Sequence, residues 1–114
     1  MAIKLVAVTA CVSGVAHTYM AAERLEKLCQ QEKWQVKIET QGALGIEHPL
    51  TDEDIKQADV VLLITDIDIE GSERFSHCRY VHSSIHLFLC HPEKTLTAIR
   101  KATTSPQSTR INVS

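Results

Sequence analysis

Two short runs in this chain are apolar on both faces: the segment Ile3 to Thr9 once past Lys4, and Val60 to Ile64. A strand with one wet face alternates polar and apolar residues, and these runs do not. Both faces must therefore be covered, as in a parallel strand held between layers of helix. The residues between them supply such layers. From Ala16 to about Lys33 a helical stripe is formed by Ala21, Ala22, Leu25, Leu28 and Cys29. Glu23, Arg24, Glu26, Lys27 and Gln30 fill the other side.

The rest of the chain continues this alternation. Val36 and Ile38 alternate with Lys37 and Glu39, the pattern of a half-exposed edge strand. Gln41 to Pro49 holds Gly42, Gly45 and Pro49 and reads as a loop. Thr51 and Asp54 are spaced as a capping box, and Leu50 and Ile55 as a hydrophobic staple. Ile67 to Phe75 reads as a polar loop around Gly71. Cys78 to His82 suits a fourth strand, and helical stretches follow at about 84–90 and 93–102, punctuated by Pro92. The polar stretch 103–114 reads as a loose tail. The expected fold is a single-domain α/β structure. Its open sheet has four parallel strands in the order 2-1-3-4, with helices on both faces and a phosphate loop at the end of strand 1. In such a sheet the order reverses between strands 1 and 3, and ligands bind beyond their carboxyl ends. Cys11 and Asp66 follow those two strands.

Composition removes several classes of function. The chain has 114 residues and a net charge of −2, with no basic excess to drive binding to a nucleic-acid backbone. The run Val60 to Ile64 is far short of the ~20 apolar residues that span a bilayer. The N-terminus lacks a secretory pattern, so a cytoplasmic, reducing setting is expected. Cys11, Cys29, Cys78 and Cys90 form no C-x-x-C pair, so neither a thioredoxin-type site nor a zinc ribbon is signalled.

The chemistry gathers where the first strand turns into the first helix. Cys11, Val12, Ser13, Gly14, Val15, Ala16, His17 and Thr18 are small or polar residues leading to a helix N-terminus, where unpaired N–H groups and the positive dipole end attract anions. A thiol at that mouth gains nucleophilicity, and a phosphoryl group on its sulfur meets the same donors. A free thiol is only about 3% ionised at pH 7, and a helix terminus shifts its pKa by about one unit. Further loop N–H groups or the Ser13 and Thr18 hydroxyls must supply the rest if the thiol is to be mostly ionised, unless an incoming phosphodonor activates it. Low-molecular-weight phosphatases use a related loop, Cys-x5-Arg. Here the sixth residue after Cys11 is His17, so the guanidinium clamp on a phosphoryl transition state is missing.

The stretch from Cys11 to Ala22 resembles the phosphocysteine loop of fructose-type enzyme IIB components of the bacterial sugar phosphotransferase system, whose pattern is Cys-Pro-Thr-Gly-x-Ala-His-Thr. The likeness continues through Glu39-Thr40-Gln41-Gly42, Leu50-Thr51, Asp54-Ile55, Ala58-Asp59, Asp66 and Arg74-Phe75. It implies one IIB domain over residues 1–102, followed by the polar tail 103–114. It also implies that Cys11 accepts a phosphoryl group from a histidine of enzyme IIA, cradled by the backbone of residues 12–18. The group then passes to a sugar entering through the membrane permease, enzyme IIC. The chain would then be a cytoplasmic phosphotransferase, associated with the inner membrane through IIC and needing no cofactor or metal. Val12 and Ser13 depart from the family's proline and threonine. Valine adds an N–H and frees φ, so altered rate or donor choice is expected rather than lost function.

The remaining candidates carry weaker signals. Asp66 and Gln41 border the expected crevice, although an acid beside a phosphate repels it. His17 suits a hydrogen bond to the loop, donation to the phosphate, or a purely structural place. Arg74 is expected to be solvated. Cys78, His82, His86 and Cys90 recur every four residues, but a strand over 78–82 would break any single helix that could gather them on a metal. Cys29 falls on the apolar stripe, and Trp34 reads as a packing anchor. Three readings stand at this point: phosphocarrier, phosphatase-like hydrolase and non-catalytic regulatory module.

Overall fold

The two doubly apolar runs lie side by side at the centre of one sheet. They are β1 (Lys4–Ala10) and β4 (Val60–Thr65), paired in parallel with Leu5 opposite Val60 and Ala10 opposite Thr65. The structure, a computed structural model, describes residues 3–10, 15–42, 45–66, 69, 72–75, 78–105 and 110–113. Around the central pair come α1 (Val15–Glu32), β2 (Gln35–Gly42), β3 (Gly45–Glu47), α2 (Asp52–Gln57) and a 3-10 turn (Ser72–Phe75). After them come β5 (Tyr80–Ser83), α3 (Ile85–Cys90), α4 (Pro92–Thr103) and β6 (Arg110–Asn112).

The sheet order is β3-β2-β1-β4-β5-β6. The four expected strands occupy its middle in the relative order 2-1-3-4, but the sheet is mixed and has six strands rather than four. At one edge β3 adds antiparallel to β2, with Gly42 opposite Gly45. The glycines at 42 and 45 therefore close a hairpin where a plain loop was expected. At the other edge β6 adds parallel to β5, and Tyr80 is opposite Arg110. The stretch 103–114 is thus not loose throughout. Ile111 and Val113 pack against the main core, and these two apolar positions give an otherwise polar segment its reason to dock.

The two faces of the sheet explain the doubly apolar runs. Leu5, Ala7, Val60, Leu62, Ile64 and Val81 point to one face. There α1 covers them with Ala21, Leu25 and Cys29, α3 with Ile85 and Phe88, and α4 with Leu96, Ile99 and Ala102. Val6, Val8, Val61 and Leu63 point to the other, against Leu50, Ile55 and Phe75. Burying a Leu, Ile or Val contributes roughly 1.5–3 kcal/mol, so successive residues on each central strand stabilise opposite layers. Among the described residues no helix is long and apolar enough to cross a membrane.

Helix ends follow local chemistry. Thr51 caps α2 by accepting from the Asp54 N–H, while the Asp54 carboxylate accepts from the Thr51 N–H. Leu50 and Ile55 share the smaller core cluster, completing the staple. α1 ends where Lys33 takes a φ of 60°. The Trp34 N–H reaches the Cys29 carbonyl and the Lys33 N–H the Gln30 carbonyl, a Schellman closure. Trp34 packs on the core beside Cys29, with the Arg100 guanidinium 5.5 Å from its ring centre.

Candidate functional site

Three strands end level with one another at the site. Ala10 of β1 is paired with Gln41 of β2 on one side and with Thr65 of β4 on the other. The Asp66 N–H donates to the Ala10 carbonyl at 3.1 Å. From β1 the chain crosses to β2 on one side, and from β4 it crosses to β5 on the other, so the order reverses between β1 and β4. The crevice beyond the carboxyl ends of that pair is the ligand position of open α/β sheets. Residues 11–14 run from Ala10 to the first residue of α1. Cys11, Val12, Ser13 and Gly14 themselves lie outside the described residues. Val15, Ala16 and His17 open α1, and their side chains lie outside the described set as well.

Thr18 is the one residue of the expected loop with a described side chain. It is buried, and its carbonyl accepts the Thr9 hydroxyl at 3.3 Å. That bond fixes the first turn of α1 above the end of β1. One turn of α1 is also tied to the hairpin, because the Tyr19 hydroxyl donates to the Glu47 carboxylate of β3.

Gln41 stands at the border expected of it, and its amide donates to Glu39 at 2.7 Å. Asp66 is exposed, and its Oδ1 accepts the Ile85 N–H at 3.1 Å, so it helps cap α3 beside Ser84. Its carboxylate thus serves a helix start, a role consistent with the cost of an acid beside a phosphate. Between Asp66 and α3, Thr65 Oγ1 and His82 Nε2 lie 3.1 Å apart on the neighbouring ends of β4 and β5.

The expectation that Arg74 is solvated, and that Glu39 is on the wet side of an edge strand, is overturned. Arg74 forks onto Glu39 with Nη1 at 2.9 Å from Oε1 and Nη2 at 3.0 Å from Oε2. The Glu39 side chain is 1% exposed. Leu50 N–H adds a third donor at 2.8 Å and Gln41 a fourth. Burial would raise the Glu39 carboxyl; the Arg74 fork, the Gln41 amide and the Leu50 N–H outweigh it and hold it below its ordinary value. The pair joins β2, the 3-10 turn and the entrance of α2 on the face opposite α1. Partners 35 residues apart leave no periodic signal. The signal that could have found them is that Glu39 and Arg74 both fall in the matched family segments.

The four-residue series of Cys and His does not converge. Cys78 precedes β5, His82 is on β5, and only His86 and Cys90 share a helix, with the sulfur 3.7 Å from His86 Nε2. Among the described residues no group of three or more His, Cys, Asp or Glu side chains is arranged to hold a metal. Cys29 is in the core, where burial pushes its thiol up to about 11.

With this geometry in place, the comparisons with known proteins are decisive. Residues 6–98 match the family model described as the PTS system lactose/cellobiose-specific IIB subunit. The chain belongs to this IIB family of the sugar phosphotransferase system. It is 67% identical over 107 residues to the PTS system fructose-like EIIB component 3 of Escherichia coli K12, covering 94% of this chain and 95% of the relative. A crystal structure from Escherichia coli, described as a predicted fructose-specific IIB, superposes with a TM-score of 0.94. It shares 64% identity, over 98% of this chain and 99% of that one. The fructose-specific EIIB'BC component of Vibrio cholerae is 43% identical over 86 residues, and the match spans only 15% of that longer protein. The family model and the relatives differ in the sugar they name and agree on the IIB component. IIB components are phosphocarrier domains of sugar transport, so the hydrolase and non-catalytic readings fall away.

Proposed function

We propose that Cys11 carries a phosphoryl group from a phosphohistidine of enzyme IIA to a fructose-like sugar entering through the membrane enzyme IIC. The observation that carries this reading is the place of residues 11–14: they link the carboxyl end of a central strand, at the reversal point of the sheet, to the N-terminus of α1. Orphan N–H groups and the dipole end favour an anion there. In the first step the Cys11 thiolate attacks phosphorus, a P–S bond forms, the P–N bond to histidine breaks, and the imidazole, protonated on its other ring nitrogen, leaves neutral. In the second step a sugar hydroxyl attacks phosphorus and gives up its proton to water, the P–S bond breaks, and the thiolate is regenerated. The donors that cradle the phosphoryl group are the N–H groups of residues 12–18. His17, at the position of the phosphatase arginine, leaves no guanidinium clamp to speed transfer to water.

In this reading the chain works in the cytoplasm against the inner membrane, held there by IIC, and the working domain includes β6 as well as residues 1–102. The relatives' names support the fructose-like class of sugar. The test is reconstitution with a phosphorylated fructose-type IIA and vesicles carrying the matching IIC. Labelled phosphate should reach the sugar with the wild-type chain and not with Cys11→Ser. Unchanged sugar phosphorylation by Cys11→Ser would refute the proposal.

A further inference from the structure

The exposed face of α3 carries two metal-ligating side chains that the phosphoryl chemistry does not use. His86 and Cys90 are both exposed. They are four residues apart on one helix, the spacing that makes two side chains neighbours on one face. The Cys90 thiol is free, and its sulfur lies 3.7 Å from Nε2 and 3.8 Å from Nδ1 of His86. That span is close to what a shared metal needs. A tetrahedral zinc, with bonds of about 2.3 Å to sulfur and about 2.05 Å to nitrogen, holds those two ligands about 3.6 Å apart. A closed zinc site takes four ligands. Among the described residues no group of three or more His, Cys, Asp or Glu side chains is arranged to hold a metal, so one chain offers half a site.

Symmetry supplies the other half, because a two-fold axis presents the same pair again from a facing copy. α3 reads Ile85-His86-Leu87-Phe88-Leu89-Cys90 and has no Asp, Glu, Lys or Arg, so two such helices meet without like charges opposed. Leu87 and Leu89 are half-buried and flank the pair with apolar surface. We infer that His86 and Cys90 are half of a Cys2His2 zinc site, completed by the same two residues of a second copy of this chain. On binding, each thiol gives its proton to solvent, and the thiolate and the neutral imidazole become ligands. The inference goes beyond the phosphocarrier reading and does not depend on it.

The experiment compares wild type, Cys11→Ser, His86→Gln and Cys90→Ser, each kept reduced with a phosphine, loaded with zinc and dialysed. Metal content is read by elemental mass spectrometry, molecular mass by light scattering, and ligand type from the spectrum with cobalt in place of zinc. Wild type and Cys11→Ser should hold about one zinc per two chains, run as dimers, and return to monomers in EDTA. Their cobalt forms should show a thiolate charge-transfer band and the strong visible bands of tetrahedral ligation. His86→Gln and Cys90→Ser should stay monomeric and lose zinc affinity by at least about tenfold. Without metal both should melt with wild type and accept phosphate on Cys11 as wild type does, which separates loss of the metal from loss of the fold. A wild-type chain that binds no zinc would overturn the inference. So would wild-type zinc content in Cys90→Ser, one zinc on a monomeric chain, or a dimer that survives EDTA. None of these results would touch the carrier reading, which fails only if Cys11 accepts no phosphate.

Discussion

A carboxylate with almost no exposed surface must have its charge matched, and Glu39 meets that demand with the Arg74 fork, the Gln41 amide and the Leu50 N–H. Removing the guanidinium strands the charge. Arg74→Met should cost about 3 kcal/mol in urea unfolding at pH 7. The cost should shrink below pH 4, because an unpaired buried Glu39 takes up a proton. A loss under 1 kcal/mol would mean that the pair is solvated after all. The cysteines divide by environment. Peroxide should inactivate the protein through Cys11 while Cys29, buried and pushed up to about 11, stays reduced in peptide mass spectra. Oxidation of Cys29 at the same rate would contradict this. Val12 frees a backbone angle that the family's proline fixes. Val12→Pro should therefore leave the rate of phosphoryl acceptance unchanged or raise it, and a slower Val12→Pro would contradict that view of the loop.

At the scale of elements, Lys33 holds a left-handed backbone angle at the end of α1, a conformation that suits glycine. Lys33→Gly should raise stability by about 0.5–1 kcal/mol in chemical denaturation, whereas a loss would show that the Lys33 side chain contributes more than its backbone strain costs. The legibility of the elements followed the kind of signal each carries. β1 and β4 were readable because burial on both faces leaves an unbroken apolar run. α1 was readable because one stripe of Ala21, Leu25 and Cys29 meets the core. The start of α2 was readable because a capping box is local. The two edge strands were not. β3 spans Gly45–Glu47 and β6 Arg110–Asn112, each too short for a period to show, and both are held by pairing to a strand already formed. The crevice followed from topology, since it needs only the order of the central strands. Glu39 and Arg74 were misread because their alternation and charge look like those of solvated residues, and only the tertiary fold brings them together.

For the whole molecule, the lowered carboxyls set the response to acid. Glu39 and Asp54 both sit below their ordinary values. Asp54 is brought to about 2 by hydrogen bonds from Lys37 and Thr51. Groups depressed in the folded state add stability above their unfolded pKa and lose it as pH falls through the folded value. The melting temperature should therefore be level from pH 7 to 5 and fall steadily from about pH 4 toward pH 2, chiefly through Glu39, since exposed Asp54 is screened by solvent. The central claim is that this α/β scaffold exists to present one thiol at the reversal point of its sheet. Its most direct test is peptide mass spectrometry after incubation with a phosphorylated fructose-type IIA, under conditions that preserve thiophosphate. A single added phosphoryl group on Cys11, absent from Cys11→Ser, is the predicted result. Phosphate on any other residue, or none on Cys11 with a donor that phosphorylates another fructose-type IIB, would contradict the account.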